Sequence, residues 1–387
     1  MSTTAAAHWA RPVARHLASY APRPPRGFRP QRIVLTRGAL ATEARRAFAE
    51  RLCAVYPQAR RLEALDRTHM QLAGLLPRGS AARREAGRRT LVLGTMGSVL
   101  RRSTESRICC PNYLHISPTS SCTYACAYCY LAGTRSSVLA PAAKIHLNLE
   151  DLLAAVRRRA RRLESPTSFY LGKLQDALGL DPLSGFSRVL VPFFADQPRA
   201  RLVMLSKSDA VGTLLDLDHR GHTALSWSVN PEAVCREFEW GAAPLARRLD
   251  AARRCRQAGY PVRFLIMPIL PVEGWRRRYA ELVDALFEAA EPQRITLGGM
   301  CSFPNALAIT RQALGAGNLL DRHVARQASA DGRRRYPREL RVRLYRHLLE
   351  AIRRRDPRLP VGLCLEEREV WEACGLSPHP PACNCIW

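Results

Sequence analysis

Cys122, Cys126 and Cys129 stand in the string S-P-T-S-S-C-T-Y-A-C-A-Y-C-Y-L. Three thiolates at spacings of four and three can cap three irons of a cubane iron–sulfur cluster. The fourth iron is then left without a protein ligand and open to a substrate, whereas a closed ferredoxin-type cluster needs a fourth nearby cysteine. With 13 cysteines in 387 residues, the pattern is expected by chance about 0.015 times, so it carries information. The competing chemistry is zinc held by Cys126 and Cys129 with Cys109 and Cys110. That second pair is adjacent and lacks the usual two-residue gap.

Thiols with such a task need a scaffold that holds them on one side of a pocket. Six short β-like runs lie between Asn112 and Gly299: 113–117, 168–171, 201–205, 224–229, 262–267 and 294–297. Helical patterns over 149–163, 244–258 and 275–290 separate some of them. Alternation of this kind predicts a parallel sheet with crossover helices. Six units give an α/β fold with a partial (β/α)6 TIM-type barrel, in which reactive groups sit in loops at the C-terminal strand ends. The cysteine loop directly follows the first run, as that geometry requires. Upstream, a strand over 33–36, a helix over 42–56 with Thr42 as N-cap and a strand over 89–93 form a small α/β preface. The expected division is a disordered basic tail over 1–30, an N-terminal α/β region over 31–108, the barrel over 109–300, and an Arg-rich helical, Cys-rich region over 301–387. The tail, without acidic residues and rich in Ala, Arg and Pro, also has the composition of a mitochondrial transit peptide, though bacterial disorder is the simpler reading.

Composition sets the outer limits. Sixty Lys+Arg against 33 Asp+Glu leave a net charge of +27, which favours a polyanionic partner such as nucleic acid. Almost all of the excess is arginine, since Lys144, Lys173 and Lys207 are the three lysines; part of that bias speaks for a GC-rich genome. An apolar share of 47% excludes whole-chain disorder. The longest apolar stretch, 264–272, is nine residues with two prolines, well short of the roughly 20 a membrane span needs. No secretory signal is visible, so a cytoplasmic chain without a membrane partner is expected, its cysteines used for metal or chemistry rather than disulfides.

The spacing C-x3-C-x2-C after the first strand of a partial barrel resembles the radical S-adenosylmethionine (SAM) signature, and the fuller string C-x3-C-x-Y-C-Y-L resembles spore photoproduct lyase and its relatives. The likeness continues in D-A-L-G-L-D-P (176–182), K-S-D-A-V-G-T-L-L-D (207–216), S-W-S-V-N-P (226–231), G-Y-P-V (259–262) and E-G-W (273–275), covering roughly residues 30–300. The resemblance implies a [4Fe-4S] cluster on Cys122, Cys126 and Cys129 whose open iron chelates the amino and carboxylate groups of SAM. It places Lys207 and Ser228 at SAM-contacting positions, and Tyr128 and Tyr130 at the tyrosines of a radical relay. It further implies an external electron donor such as flavodoxin or ferredoxin, DNA as partner, and repair of a thymine lesion begun by a 5′-deoxyadenosyl radical.

The likeness fails at one telling place. Lys173 stands where the lyase carries the cysteine that donates a hydrogen atom to the product radical, and an ammonium cannot do what a thiol does. Cys301, after the sixth run, is the first alternative donor, with a buried core thiol as its plainer reading. The second run also lacks the Gly-Gly-Glu of many radical SAM enzymes. Near the C-terminus, Cys364, Cys374, Cys383 and Cys385 form a candidate second metal site or redox pair, although C-x-C is a poor disulfide and no standard zinc pattern. Arginine clusters at 157–162, 276–278, 333–335 and 353–355 are candidate phosphate contacts, and R-R-R-Y (333–336) best suits an unstacked base. Two other functions remain open: a radical SAM enzyme acting on another nucleic acid or a peptide, and a non-catalytic iron–sulfur sensor that binds DNA.

Overall fold

The structure, a computed structural model, describes residues 4–379 and 382–387. Its largest sheet has eight strands, curled into part of a barrel. The six expected runs become parallel strands Tyr113–Ile116, Thr167–Leu171, Ala200–Ser206, Thr223–Val229, Val262–Ile269 and Arg294–Gly299. They are adjacent in chain order, with Phe169 beside Leu202, Leu225 beside Val262 and Phe264 beside Ile295. Phe169, Leu202, Trp227, Phe264, Ile266 and Leu297 are buried, as continuous apolar runs in a parallel sheet covered on both faces must be. Helices Leu149–Ala160, Ser187–Ala195, Leu245–Gln257 and Trp275–Ala289 lie between consecutive strands.

Two strands extend the expected barrel. Val361–Leu363 adds a seventh parallel strand beside Arg294–Gly299, and Leu100–Ser103 pairs antiparallel with Tyr113–Ile116 at the opposite edge. The boundaries expected at 108 and 300 therefore fall between strands of one sheet. The N-terminal region has its own five-stranded sheet, in the order 60–64, 32–36, 90–94, 143–146, 119–120. Its last two strands come from the barrel segment, so that boundary is interleaved as well. Thr42 does cap the helix Glu43–Ala54, its side chain accepting from the Arg45 amide.

The basic tail over 1–30 is not disordered throughout: Thr4–Ser19 is a helix. Alanines are the best helix formers, and Val13 and Leu17, four apart, bury one face. Trp9 meets Phe193 edge-on at 5.2 Å, and a ring nitrogen of His16 lies 2.8 Å from the Ser184 carbonyl. Packing outweighs the polar composition. Among the described residues no helix is long and apolar enough to cross a membrane.

Candidate functional site

The cysteine loop folds over the C-terminal mouth of the barrel and is tied down on both sides. Ala125 and Ala127 donate backbone N–H groups to the carbonyls of Trp240 and Phe238, both at 2.8 Å. The Ala127 carbonyl accepts from the Thr310 hydroxyl at 2.7 Å. Cys122, Cys126 and Cys129 thereby line one cavity with Tyr128, Tyr130, Lys173, Lys207, Ser228 and Cys301. Burial, then the charges of Asp176 and the other two thiolates, push the Cys122 thiol well above its ordinary value. Three half-buried sulfurs on one cavity wall suit a cationic metal group, which deprotonates its thiol ligands outright. The donor set fits the cluster that the spacing implied.

Across the cavity lies a charged network. The Lys207 ammonium donates to the Ser228 hydroxyl at 2.6 Å and pairs with Glu239 at 3.2 Å. Arg248 pairs with the same carboxylate, and the two side chains are 1% and 0% exposed. The Tyr128 hydroxyl also donates to Glu239. Burial alone raises the Glu239 carboxyl, but Lys207 and Arg248 outweigh it and hold it at about 2. Arg248 further donates to the Ser228 carbonyl at 3.0 Å, clamping that strand end. Asp176 accepts from the Lys207 amide at 2.7 Å and the Ser206 hydroxyl at 2.6 Å. Lys207 and Ser228 are thus one fixed polar patch opposite the thiols. Glu239 and Arg248 escaped the sequence reading, and Asp176 entered it only as the first residue of the string 176–182, because no local spacing links them to the groups they hold.

The third wall carries Lys173. Its ammonium contacts the Ser103 hydroxyl, pairs with Glu105 at 3.0 Å and sits 5.2 Å from the Tyr113 ring centroid. Gly172 directs it there: at φ 149° a Cβ would meet the Leu205 Cβ at 2.7 Å, so a side chain has no room. Glu105 also binds Arg333 at 2.7 Å. Burial pushes the Cys301 thiol up to about 12, against the cations Arg335 and Arg333, so it keeps its proton at neutral pH. Tyr130 and Cys301 also line a second cavity, deeper in the barrel, that shares Gly172, Lys173, Leu205, Leu265 and Met267 with the first. The Tyr130 hydroxyl donates to the Lys173 carbonyl at 2.6 Å.

Two readings need correction. R-R-R-Y is no base platform: Arg335 and Tyr336 are 2% and 1% exposed, and Arg333 and Arg335 pair with Asp331. The C-terminal cysteines divide, since Cys364, Cys383 and Cys385 line the deeper cavity with Cys110. Cys374 lies apart, at the end of the helix Arg368–Ala373, with Arg346 and Glu366 as its charged neighbours.

A partly closed parallel barrel with a C-x3-C-x2-C loop over its C-terminal mouth defines a radical SAM protein. Residues 28–297 match the family profile of spore photoproduct lyase, and the chain belongs to that family. Spore photoproduct lyase of Bacillus subtilis (strain 168) is 33% identical over 177 residues, 46% of this chain and 51% of that protein. Its counterpart from Geobacillus sp. (strain Y412MC61) is 30% identical over 226 residues, 58% of this chain and 64% of that protein. The matches thus span about half to two thirds of the length of these curated relatives. A solved spore photoproduct lyase complexed with dinucleoside spore photoproduct has the same fold, with a TM-score of 0.76 at 24% identity over 87% of this chain and 99% of that one. A mutant of the lyase with bound AdoMet and the same dinucleoside superposes with a TM-score of 0.75 at 24% identity, covering 86% of this chain and 98% of that one.

Proposed function

We propose that this chain is a radical SAM enzyme of the spore photoproduct lyase type, acting on a thymine lesion in DNA with electrons from an external flavodoxin- or ferredoxin-like donor. The observation that carries this reading is the convergence of Cys122, Cys126 and Cys129 with Lys207 and Ser228 on one cavity. When bound, an iron–sulfur cluster and SAM supply a 5′-deoxyadenosyl radical for hydrogen abstraction. The chain's own residues then have separate tasks. The three thiols hold the cluster. Lys207 and Ser228, fixed by Glu239, Asp176 and Arg248, orient the polar end of SAM. Cys301 lines both cavities with its S–H intact and serves as hydrogen-atom donor: its S–H bond breaks, a C–H bond forms on the product radical, and the unpaired electron passes to sulfur. Tyr128 and Tyr130 are the relay residues, their hydroxyls held by Glu239 and by the Lys173 carbonyl, and Tyr130 is the one that borders both cavities. A lesion within a duplex has to be flipped outward to reach this cavity.

Anaerobic reconstitution with iron and sulfide, then dithionite, SAM and a spore-photoproduct dinucleotide, tests the reading. Both 5′-deoxyadenosine and repaired dinucleotide are expected. Deoxyadenosine without repair favours the second reading, a radical SAM enzyme with another nucleic-acid or peptide substrate, for which Lys173 in the donor's place is the motivating observation. Neither product despite an intact cluster favours an iron–sulfur sensor that binds DNA.

A further inference from the structure

The deeper cavity has thiols that the reaction above does not use. Cys110, Cys364, Cys383 and Cys385 come from three distant parts of the chain and line it together. We propose that these four cysteines hold a second iron–sulfur cluster, in the cavity that adjoins the one lined by Cys122, Cys126 and Cys129.

Each segment is anchored by contacts of its own. The Cys109 amide donates to the Glu366 carbonyl at 2.8 Å, fixing the loop that carries Cys110 beside the segment after Cys364. The Cys364 amide donates to Leu297 at 2.7 Å at the end of the seventh strand. The terminal segment is pinned by side chains near the N-terminal ends of three other strands. Arg294 donates to the Cys383 carbonyl at 3.0 Å, Ser168 to Cys385 at 2.7 Å, and Arg263 to Asn384 at 3.1 Å and Ile386 at 2.6 Å. At Gly362 a Cβ would meet the Ala382 carbonyl oxygen at 2.5 Å and the Cys383 nitrogen at 3.1 Å. Glycine therefore lets the terminal segment press against the seventh strand.

The chemistry points to a thiolate-ligated metal group. The four cysteines share the wall of one cavity, where Lys173 and Arg333 are the cationic members and Glu105 the acidic one. Four thiolates select zinc or an iron–sulfur cluster. A zinc ion draws its four sulfurs to about 2.3 Å from one point. Among the described residues no three His, Cys, Asp or Glu side chains close on such a point. The same holds for Cys122, Cys126 and Cys129, and an iron–sulfur cluster takes its cysteines on separate irons, so its ligands need not meet at one point. With four ligands the cluster is closed, so it has no open iron for SAM.

The test reconstitutes the full chain anaerobically and measures iron, sulfide and zinc alongside the electron paramagnetic resonance of the reduced protein. Wild type is expected to hold about eight irons, and Cys122→Ala/Cys126→Ala/Cys129→Ala about four, with a signal indifferent to SAM. Cys383→Ser/Cys385→Ser is expected to hold about four, with a signal that SAM perturbs. Cys374→Ser, outside the set, should match wild type. The proposal is overturned if the triple variant holds no iron, if it holds one zinc in place of iron, or if Cys374→Ser loses half the iron. Should the terminal double variant fail to fold by circular dichroism, the triple variant still decides the matter, because it leaves all four proposed ligands in place. Failure of the SAM-site reading is a separate outcome, seen as no SAM-sensitive signal in the double variant.

Discussion

Glu239 is the residue on which most of the SAM-facing wall depends, and it shows what local sequence cannot disclose. The cysteine triad was legible because its ligands sit within eight residues; Glu239 joins Lys207, Arg248 and Tyr128, which the chain separates widely. Glu239→Gln leaves the buried Arg248 and the partly buried Lys207 without their carboxylate, so a loss of about 3–5 kcal/mol is expected, read as a lower denaturation midpoint of the metal-free chain. The same residue sets an acid dependence. Its folded value of about 2 lies below the ordinary 4.5, so the unfolded chain takes up the proton first as pH falls. Its contribution is complete above 4.5 and is lost on descent toward 2. That amounts to about 3 kcal/mol, measured by urea unfolding across that range; a slope unchanged in Glu239→Gln would refute the assignment. At the opposite wall, Cys301→Ala should preserve 5′-deoxyadenosine formation while repaired product falls by at least about tenfold, since the chemistry before quenching does not need the thiol. Equal repair by the variant would move the donor elsewhere.

The elements divide according to how much of their packing is written in neighbouring residues. All six expected barrel strands match within two residues at either end, Val262–Ile269 and Arg294–Gly299 each running two residues further than expected, because long apolar runs buried on both faces leave little ambiguity. Val361–Leu363 is too short to show a period, and Arg60–Ala64 carries three charged residues on a sheet edge. The helix Thr4–Ser19 looked disordered by composition, yet its Val13 and Leu17 stripe finds the core. The terminal C-N-C-I-W was legible as chemistry and illegible as structure: it closes the N-terminal end of the barrel through Arg263, which donates to two of its carbonyls and lies 5.1 Å from the Trp387 ring centroid. Arg263→Ala strips those acceptors of their donor, at about 1–3 kcal/mol for each group left buried and unpaired. Hydrogen exchange at residues 382–387 should accelerate markedly in the variant, while strands 200–206 and 223–229 stay protected. Unchanged exchange in the terminal segment would mean that the other anchors suffice.

At the scale of the whole molecule, a charge of +27 has to be sorted into cations that build the protein and cations that meet a partner. Arg248, Arg263, Arg335 and Arg341 are buried and satisfy carboxylates or carbonyls. They add to the net charge and offer nothing to a phosphate. The groove between helices Trp275–Ala289 and Arg338–Arg355 is different: Arg276, Arg338, Arg343 and Arg346 line it, with Glu339 and Glu350 as the acidic members. If DNA tracks this groove, the logarithm of affinity falls linearly with the logarithm of salt, by about 0.9 for each phosphate neutralised. Replacing Arg338 and Arg343 with Gln should then flatten the slope by nearly two and weaken binding of every sequence alike, as expected for contacts that read backbone rather than bases. Arg333→Gln should leave the slope unchanged, because that guanidinium is spent on Glu105 and Asp331; its effect belongs to Lys173 and the cavity wall. A slope that falls with Arg333→Gln and holds with the groove variant would place the DNA on the other side of the barrel mouth.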